Sequence, residues 1–473
     1  MAEKEANPAA GGIADTAVET LRAALRGDLL RRGHAGYDEA RRVYNAMIDK
    51  HPALIARCVD VADVIAAVNF AREQRLTLAV RGGGHSGPGL GTCDGGLVID
   101  LGRMRGVRVD PAARTVRVEG GATWGDVDHA THAFGLATPS GFVSTTGVGG
   151  LTLGGGLGHL TRAHGLTIDN LLGVDVVLAD GRFVKAGPGE HPDLFWAVRG
   201  GGGNFGVVTS FEYRLHPIDT VYAGPMLWPI ERAADLLRFW RDFILKAPET
   251  TNAFFVFMVV PPGPPFPEQW HMKKMCGLVC CYTGPLEKAD AALAPVRAFS
   301  PPAIDLAGPL PFPALQTMFD PLVPPGLRWY WKADFFRELS DEAIALHVQH
   351  GPQMPTMLST AHIYAIDGAA HGAGKSDTAF SFRDANFAEV ILGVDPDRAN
   401  DERTIAWARD YWQALHPHSA GGGYVNMVMD EGEDQVKAAY RENYARLAEI
   451  KARYDPGNLF HVNQNIKPAA KPA

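Results

Sequence analysis

Arg81-Gly82-Gly83-Gly84-His85-Ser86 decides how this chain is read. A short apolar strand, Leu76 to Val80, runs straight into it. Three consecutive glycines after a buried strand let the backbone approach a ligand closely and point N–H groups at it. Such a cradle suits a pyrophosphate, with Ser86 as an extra donor. A second stretch repeats the device, from Gly147-Val148-Gly149-Gly150 through Gly154-Gly155-Gly156 to Gly158. One glycine triplet alone reads as a tight turn. Two long ones, each opening from a strand-like or turn segment, point to a ligand.

The segments around these loops alternate between helix and strand. Residues 1 to about 15 read as a disordered tail. Val18, Leu21, Leu25 and Leu29 are spaced for a helix over Thr16 to Leu30, and Val64, Ala67, Val68 and Ala71 for another over Val61 to Arg72. Leu97 to Leu101 is strand-like, Val107 to Asp110 and Thr115 to Glu119 form a hairpin pattern, and a helix is expected over Trp124 to Phe134. Val174 to Leu178 and Arg182 to Lys185 flank Ala179-Asp180-Gly181 as a second hairpin. Near Ile218 to Pro229 glycine thins out and prolines gather, so a second domain is expected from about 222 to 423. Helices at Asp401 to Leu415 and Glu433 to Tyr454 bracket the return, and Leu459 to Ile466 looks extended.

Two nucleotide motifs fail on context. Gly201-Gly202-Gly203-Asn204-Phe205-Gly206 fits G-x-G-x-x-G by letter, but that fingerprint needs a helix next. Val207 to Arg214 alternates as a strand instead. Gly374-Lys375-Ser376 resembles the end of a phosphate-binding Walker loop, yet Ala369 stands where the first glycine belongs and no helix follows. Metal sites are equally weak. His129 with His132, or His347 with His350, could share a helix face, but neither pair has an obvious third ligand. Cys276, Cys280 and Cys281 sit in an apolar, strand-like run and read as core.

Composition narrows the class. With 473 residues and 46% hydrophobic content, at least two cores are within reach. The 45 basic and 53 acidic residues give a net charge of −8, which argues against nucleic acid or an anionic membrane as main partner. No apolar run approaches the roughly 20 residues of a membrane span. Met1 to Ile13 has no basic region followed by an apolar stretch, so it does not read as a secretory signal. Five cysteines suit a reducing compartment better than a disulfide framework, and a cytoplasmic enzyme is the expectation.

Several motifs occur in a telling order: the Arg81–Ser86 loop, Gly147–Gly150, Asp193 to Gly206 and Tyr424-Val425-Asn426. Asp455-Pro456-Gly457-Asn458-Leu459-Phe460 with Gln464-Asn465-Ile466 completes the set. Together they resemble the berberine-bridge-enzyme-like branch of the vanillyl-alcohol-oxidase / p-cresol-methylhydroxylase flavoprotein superfamily, over roughly residues 37 to 468. The resemblance implies an α+β fold: an FAD-binding domain of two α+β subdomains, and a substrate domain with an antiparallel sheet flanked by helices. The expected division is 1–36 for an N-terminal tail and helix, 37–221 for the FAD-binding domain, 222–423 for the substrate domain and 424–473 for the return.

In similar proteins the loop histidine is bonded to the flavin 8α carbon, which makes His85 the expected covalent site. The resemblance assigns further cofactor contacts to Arg81, Gly82, Gly83, Gly84 and Ser86. It adds Gly147, Gly149, Gly150, Gly154 and Gly155 in the second stretch, and Gly206, Val208, Asn463 and Asn465 beyond it. Many relatives carry a second flavin bond through a cysteine where this chain has Val143, which cannot form a thioether. Leu151 and Leu157 likewise stand where relatives often have a histidine and a tyrosine, and Thr146 where they vary a residue lining oxygen access. A singly tethered, bacterial-type member is therefore expected.

Flavin chemistry needs a hydride acceptor and a base. Tyr424, in Gly421-Gly422-Gly423-Tyr424-Val425-Asn426, is the expected base, opening a strand that returns to the FAD domain. Tyr364, Asp367, Arg383 and Glu389 are further pocket candidates, unranked. Three activities remain open at this level: an oxidase acting on an alcohol, sugar, amine or phenol with oxygen as acceptor, a flavin dehydrogenase, and a non-catalytic flavin or ligand carrier. Oligomeric state and substrate are not legible.

Overall fold

The computed structural model describes residues 13–470. The expected tail therefore lies outside the described residues as far as residue 12, and a helix runs over Asp15–Ala24. The helix is shorter than its periodicity suggests. Leu29 is recruited instead into a strand, β1 (Asp28–Leu30), which pairs antiparallel with β2 (Leu54–Arg57). With β3 (Leu78–Arg81) and β4 (Leu97–Asp100) these make a four-stranded sheet in the order β1-β2-β4-β3. β4 is parallel to both of its neighbours. The helix Val61–Glu73, capped by the Asp60 side chain on the Asp63 N–H, joins β2 to β3 and buries Val64, Ala67, Val68 and Ala71.

A second sheet is antiparallel throughout. It orders β5 (Val107–Asp110), β6 (Thr115–Glu119), β7 (Leu171–Val177), β8 (Phe183–Ala186) and β9 (Val207–Arg214) as β5-β6-β9-β7-β8. Between β6 and β7 lie the helix Trp124–His132 and the glycine-rich stretch, which contains a short helix, Val148–Gly154.

The third sheet has eight antiparallel strands. Its long members are β10 (Thr220–Pro229), β11 (Thr251–Val259), β12 (Lys274–Tyr282), β13 (Arg328–Phe336), β14 (Thr360–Ala365) and β15 (Phe387–Asp395). They run in the order β10-β12-β11-β14-β15-β13. Successive side chains in a strand point to opposite faces. Phe255, Phe257, Ile363 and Ile391 accordingly face the helices Ala233–Ile244, Asp341–His350 and Asp401–Leu415 in one apolar core. Their neighbours Phe254, Val256, His362, Tyr364 and Val390 turn the other way, toward a cavity.

The chain then returns to the second sheet. The helix expected over Glu433 to Tyr454 is two helices, Glu433–Tyr440 and Asn443–Tyr454, broken at Arg441 with φ +48°. Val436, Tyr440, Leu447 and Ile450 pack against Phe205, Phe211 and Tyr213. Leu459 to Ile466 belongs to no strand.

Candidate active site

A cavity of about 940 Å³ opens between the two glycine stretches and the free face of the third sheet. β3 delivers the first loop to it. Arg81, the last residue of that strand, is in register with Asp100 on β4, and its Nη2 donates to Asp100 Oδ2 at 2.8 Å. Arg81 thus borders the cavity while its charge is spent holding the loop to the sheet. The next five backbone N–H groups, Gly82 to Ser86, find no protein acceptor among the described residues. A run of unused N–H groups at a cavity wall is an anion cradle.

The two glycine stretches touch backbone to backbone. A Cβ on Gly83 would lie 2.5 Å from the Gly147 Cα, and one on Gly147 would lie 2.3 Å from the Gly83 nitrogen. No side chain fits at either position. Gly147, Gly149 and Gly150 border the cavity with this first loop, as do Gly206, Val208 and Asn463. Gly154 and Gly155 do not border it. They face Asn426, Phe380 and Tyr424, so they make room for the Tyr424 loop instead of a ligand. Asn465 is also off the cavity wall, with a buried Oδ1 that has no partner among the described residues.

His85 stacks on Tyr44, with ring centroids 4.0 Å apart and planes 17° from parallel. The ring borders the cavity and is only half-buried, yet protein encloses its other sides. Burial pulls its pKa down to about 4, against a hydrogen bond to the Thr145 carbonyl that raises it. The imidazole is therefore neutral at pH 7, as a nucleophile must be. Tyr44 is fixed in turn: its hydroxyl donates to the Val323 carbonyl at 2.7 Å, and its N–H to the Gly84 carbonyl at 3.0 Å. Asn45, fully buried, donates to the carbonyls of Gly87 and Trp329 at 2.7 and 3.0 Å. This Tyr44–Asn45 clamp ties the histidine loop to β13. Sequence reasoning missed it because neither residue belongs to a glycine loop or a recognisable motif.

Tyr424 also borders the cavity, in a loop and not at the start of a strand. The turn that carries it has no ladder partner. Tyr424 is 4% exposed, and its hydroxyl oxygen accepts the Gly156 N–H at 2.8 Å and a hydrogen bond from Asn426 Nδ2 at 2.9 Å. Burial pushes the phenol up to about 12, while these donors and the Leu157 N–H pull in the opposite direction.

Of the four further candidates only Tyr364 borders the cavity. Arg383 is paired with Asp169 at 2.6 Å and Asp367 with Arg162 at 2.6 Å, both buried. Glu389 shares its strand face with Ile391, on the helix side of the sheet, where it is in register with Asp334. Burial raises its pKa well above the usual range, with Asp334 adding to the shift. One histidine of each candidate metal pair is engaged elsewhere: His132 approaches Asp219 at 3.3 Å and His347 is bonded to the Tyr411 hydroxyl at 2.8 Å.

Residues 52–187 match the FAD-binding-domain family model, and residues 423–467 match the model described as berberine and berberine like. An FAD-linked oxidoreductase of Dictyostelium discoideum is 31% identical over 94% of this chain and 95% of its own length. This chain belongs to the berberine-bridge-enzyme-like FAD-linked oxidoreductases. A second relative, the (R)-6-hydroxynicotine oxidase of Paenarthrobacter nicotinovorans, is 30% identical over 94% of this chain and 97% of its own. Among solved structures, a chitooligosaccharide oxidase superposes with a TM-score of 0.82 at 25% identity, covering 96% of this chain and all of that one. The protein is thus an FAD-binding oxidoreductase. The cavity fits the cofactor: it offers an anion cradle, a glycine contact that admits no Cβ, and a buried Tyr440 hydroxyl on its wall with no partner among the described residues.

Proposed function

We propose that this enzyme is an oxidase that removes hydride from a small organic substrate, with FAD tethered at His85, Tyr424 as base and oxygen as acceptor. Gly82 to Ser86 with Gly147, Gly149 and Gly150 would hold the pyrophosphate side, and Gly206, Val208 and Asn463 would border the rest. FAD, when bound, supplies the two-electron acceptor. The tether would replace one 8α C–H and the ring N–H of His85 by a C–N bond. Two electrons and two protons leave, and the terminal acceptor takes the electrons. The neutral, stacked state of His85 supports that role, and Val143 leaves no thiol for a second bond.

The observation that carries the reading is the environment of Tyr424. Its oxygen sits on the cavity wall with backbone and amide N–H groups aimed at it, so negative charge on that oxygen is met by donors already in place. In its ionised, phenolate form this oxygen takes the proton of the substrate hydroxyl or amine as the neighbouring carbon gives up hydride. Replacing Tyr424→Phe keeps the ring and removes the base. Anaerobic flavin bleaching by the cognate substrate should slow about 10²- to 10⁴-fold with flavin content unchanged; bleaching at the wild-type rate would place the base elsewhere. Peroxide formed one-for-one with product marks an oxidase, whereas turnover only with an artificial dye marks a dehydrogenase. The five cysteines, free and buried, support a cytoplasmic setting, which cell fractionation tests.

A further inference from the structure

The third sheet gives its cavity face an unusual composition. Phe254 and Val256 on β11, His362 and Tyr364 on β14, and Val390 and Leu392 on β15 all point inward. Phe142, from the loop before the second glycine stretch, completes a cluster of four cavity-lining rings. Phe142 stacks on Tyr364 with centroids 4.4 Å apart and 19° between planes. Phe254 meets Phe142 at 5.2 Å, Tyr364 at 5.1 Å and His362 at 5.4 Å. These are the separations at which aromatic rings attract one another, and a planar ligand can extend such a cluster.

Charge is nearly absent from this space. Among the described residues lining the cavity, Arg81 is the one charged side chain, and it is paired with Asp100 beside the glycine loop. Among the described lining residues no carboxylate is placed to receive an ammonium, and no free cation to receive a carboxylate. Burying an unpaired ion is prohibitive. A sugar, too, would bring many hydroxyls to a wall of phenyl and aliphatic groups, each losing a water partner without replacement.

One polar pair lies within the four-ring cluster itself; elsewhere the cavity is also bordered by Ser359, Thr360, Asn426 and Tyr424. His362 Nδ1 and the Tyr364 hydroxyl are 2.6 Å apart. Burial pulls the His362 pKa down to about 4, so the ring is neutral at pH 7 and carries one proton. A phenol is the better donor and an imidazole nitrogen the better acceptor, so the shared proton belongs to Tyr364. The ring proton then sits on Nε2, which has no protein partner among the described residues.

We propose that His362 Nε2–H is a recognition donor within the aromatic part of the pocket, and that the substrate is a neutral aromatic alcohol bearing a second oxygen as acceptor, bound against the four rings. This inference rests on the oxidase reading for turnover but not for binding, so the two are tested apart. Holoenzyme is titrated with the unreactive probes acetophenone, benzoate and benzylammonium while the flavin absorption band is followed. It is then mixed anaerobically with 4-methoxybenzyl alcohol, benzylamine, glucose and cellobiose. Acetophenone should perturb the band with a Kd at least about tenfold below that of either charged probe, and only the aromatic alcohol should bleach the flavin. His362→Phe, which keeps the ring and removes the donor, should weaken acetophenone about 3- to 10-fold at unchanged flavin content. Benzoate or benzylammonium binding as tightly as acetophenone, no binding of acetophenone, or bleaching by a sugar or by benzylamine would overturn the proposal. So would a His362→Phe enzyme that binds acetophenone like wild type; if that variant fails to load flavin, the wild-type probe series decides alone. Selective acetophenone binding without bleaching by any alcohol would leave the pocket assignment standing and count against the oxidase reading.

Discussion

Asn426 gives the sharpest handle on the proposed base. Its Nδ2 donates to the Tyr424 oxygen at 2.9 Å and to the Leu151 carbonyl at 3.0 Å, using both amide protons. Asn426→Ala removes one of the donors that would meet charge on the phenol. A hydrogen bond to a charged group contributes about 1.5–3 kcal/mol, and about 1.4 kcal/mol is a factor of ten, so flavin reduction should slow about 10- to 100-fold. The variant also leaves the Leu151 carbonyl short of a donor and opens space beside Gly154, where an added Cβ would lie 2.1 Å from Asn426 Oδ1. That loss is structural and appears in the thermal midpoint, not in the rate. Stopped-flow bleaching under anaerobic conditions separates the two effects when the measurement is repeated in a Tyr424→Phe background. There the asparagine has no phenol to serve, so its removal should cost no further rate. Rate losses that multiply in the double variant would refute the idea that Asn426 works through Tyr424.

The remaining predictions concern protonation and the glycine contact. Because burial holds the Tyr424 phenol near 12, its basic form grows with pH throughout the accessible range. Wild-type flavin reduction should therefore rise about tenfold per unit between pH 7 and 10 without a plateau, while Tyr424→Phe should lose that slope; a wild-type plateau near pH 7 would contradict this. Gly147→Ala should cut flavin content sharply, since its Cβ would press on the Gly83 backbone and overpacking of that kind costs about 1–3 kcal/mol or more. Gly189→Ala, with nothing within 4 Å of the added Cβ, should load flavin normally.

Much of the frame was legible wherever the signal is local. The Arg81–Ser86 loop, the strand after Gly206 and the Asp401–Leu415 helix are written in adjacent residues, as turn chemistry or periodicity. Interactions between distant segments were not. Leu29 looks helical by spacing, but pairing with β2, over twenty residues away, wins it for a strand. Arg383 reads as a cation available to the base until its partner Asp169 is found 214 residues earlier. Glu389 reads as a pocket acid until strand parity turns it to the far face. Tyr44 carries no sequence signal at all, since only the folded chain lays it on His85. Gly154 and Gly155 show a subtler limit: the need for glycine is real, but a protein side chain creates it, not a ligand.

The central claim, a flavin oxidase singly tethered at His85, is tested most directly by the flavin-bearing peptide. Denatured protein should keep its yellow colour in the acid pellet, and proteolysis with mass spectrometry should find flavin on one peptide only, the one containing His85. Colour released wholly to the supernatant, or flavin on a peptide without His85 such as one bearing Cys93, would contradict it.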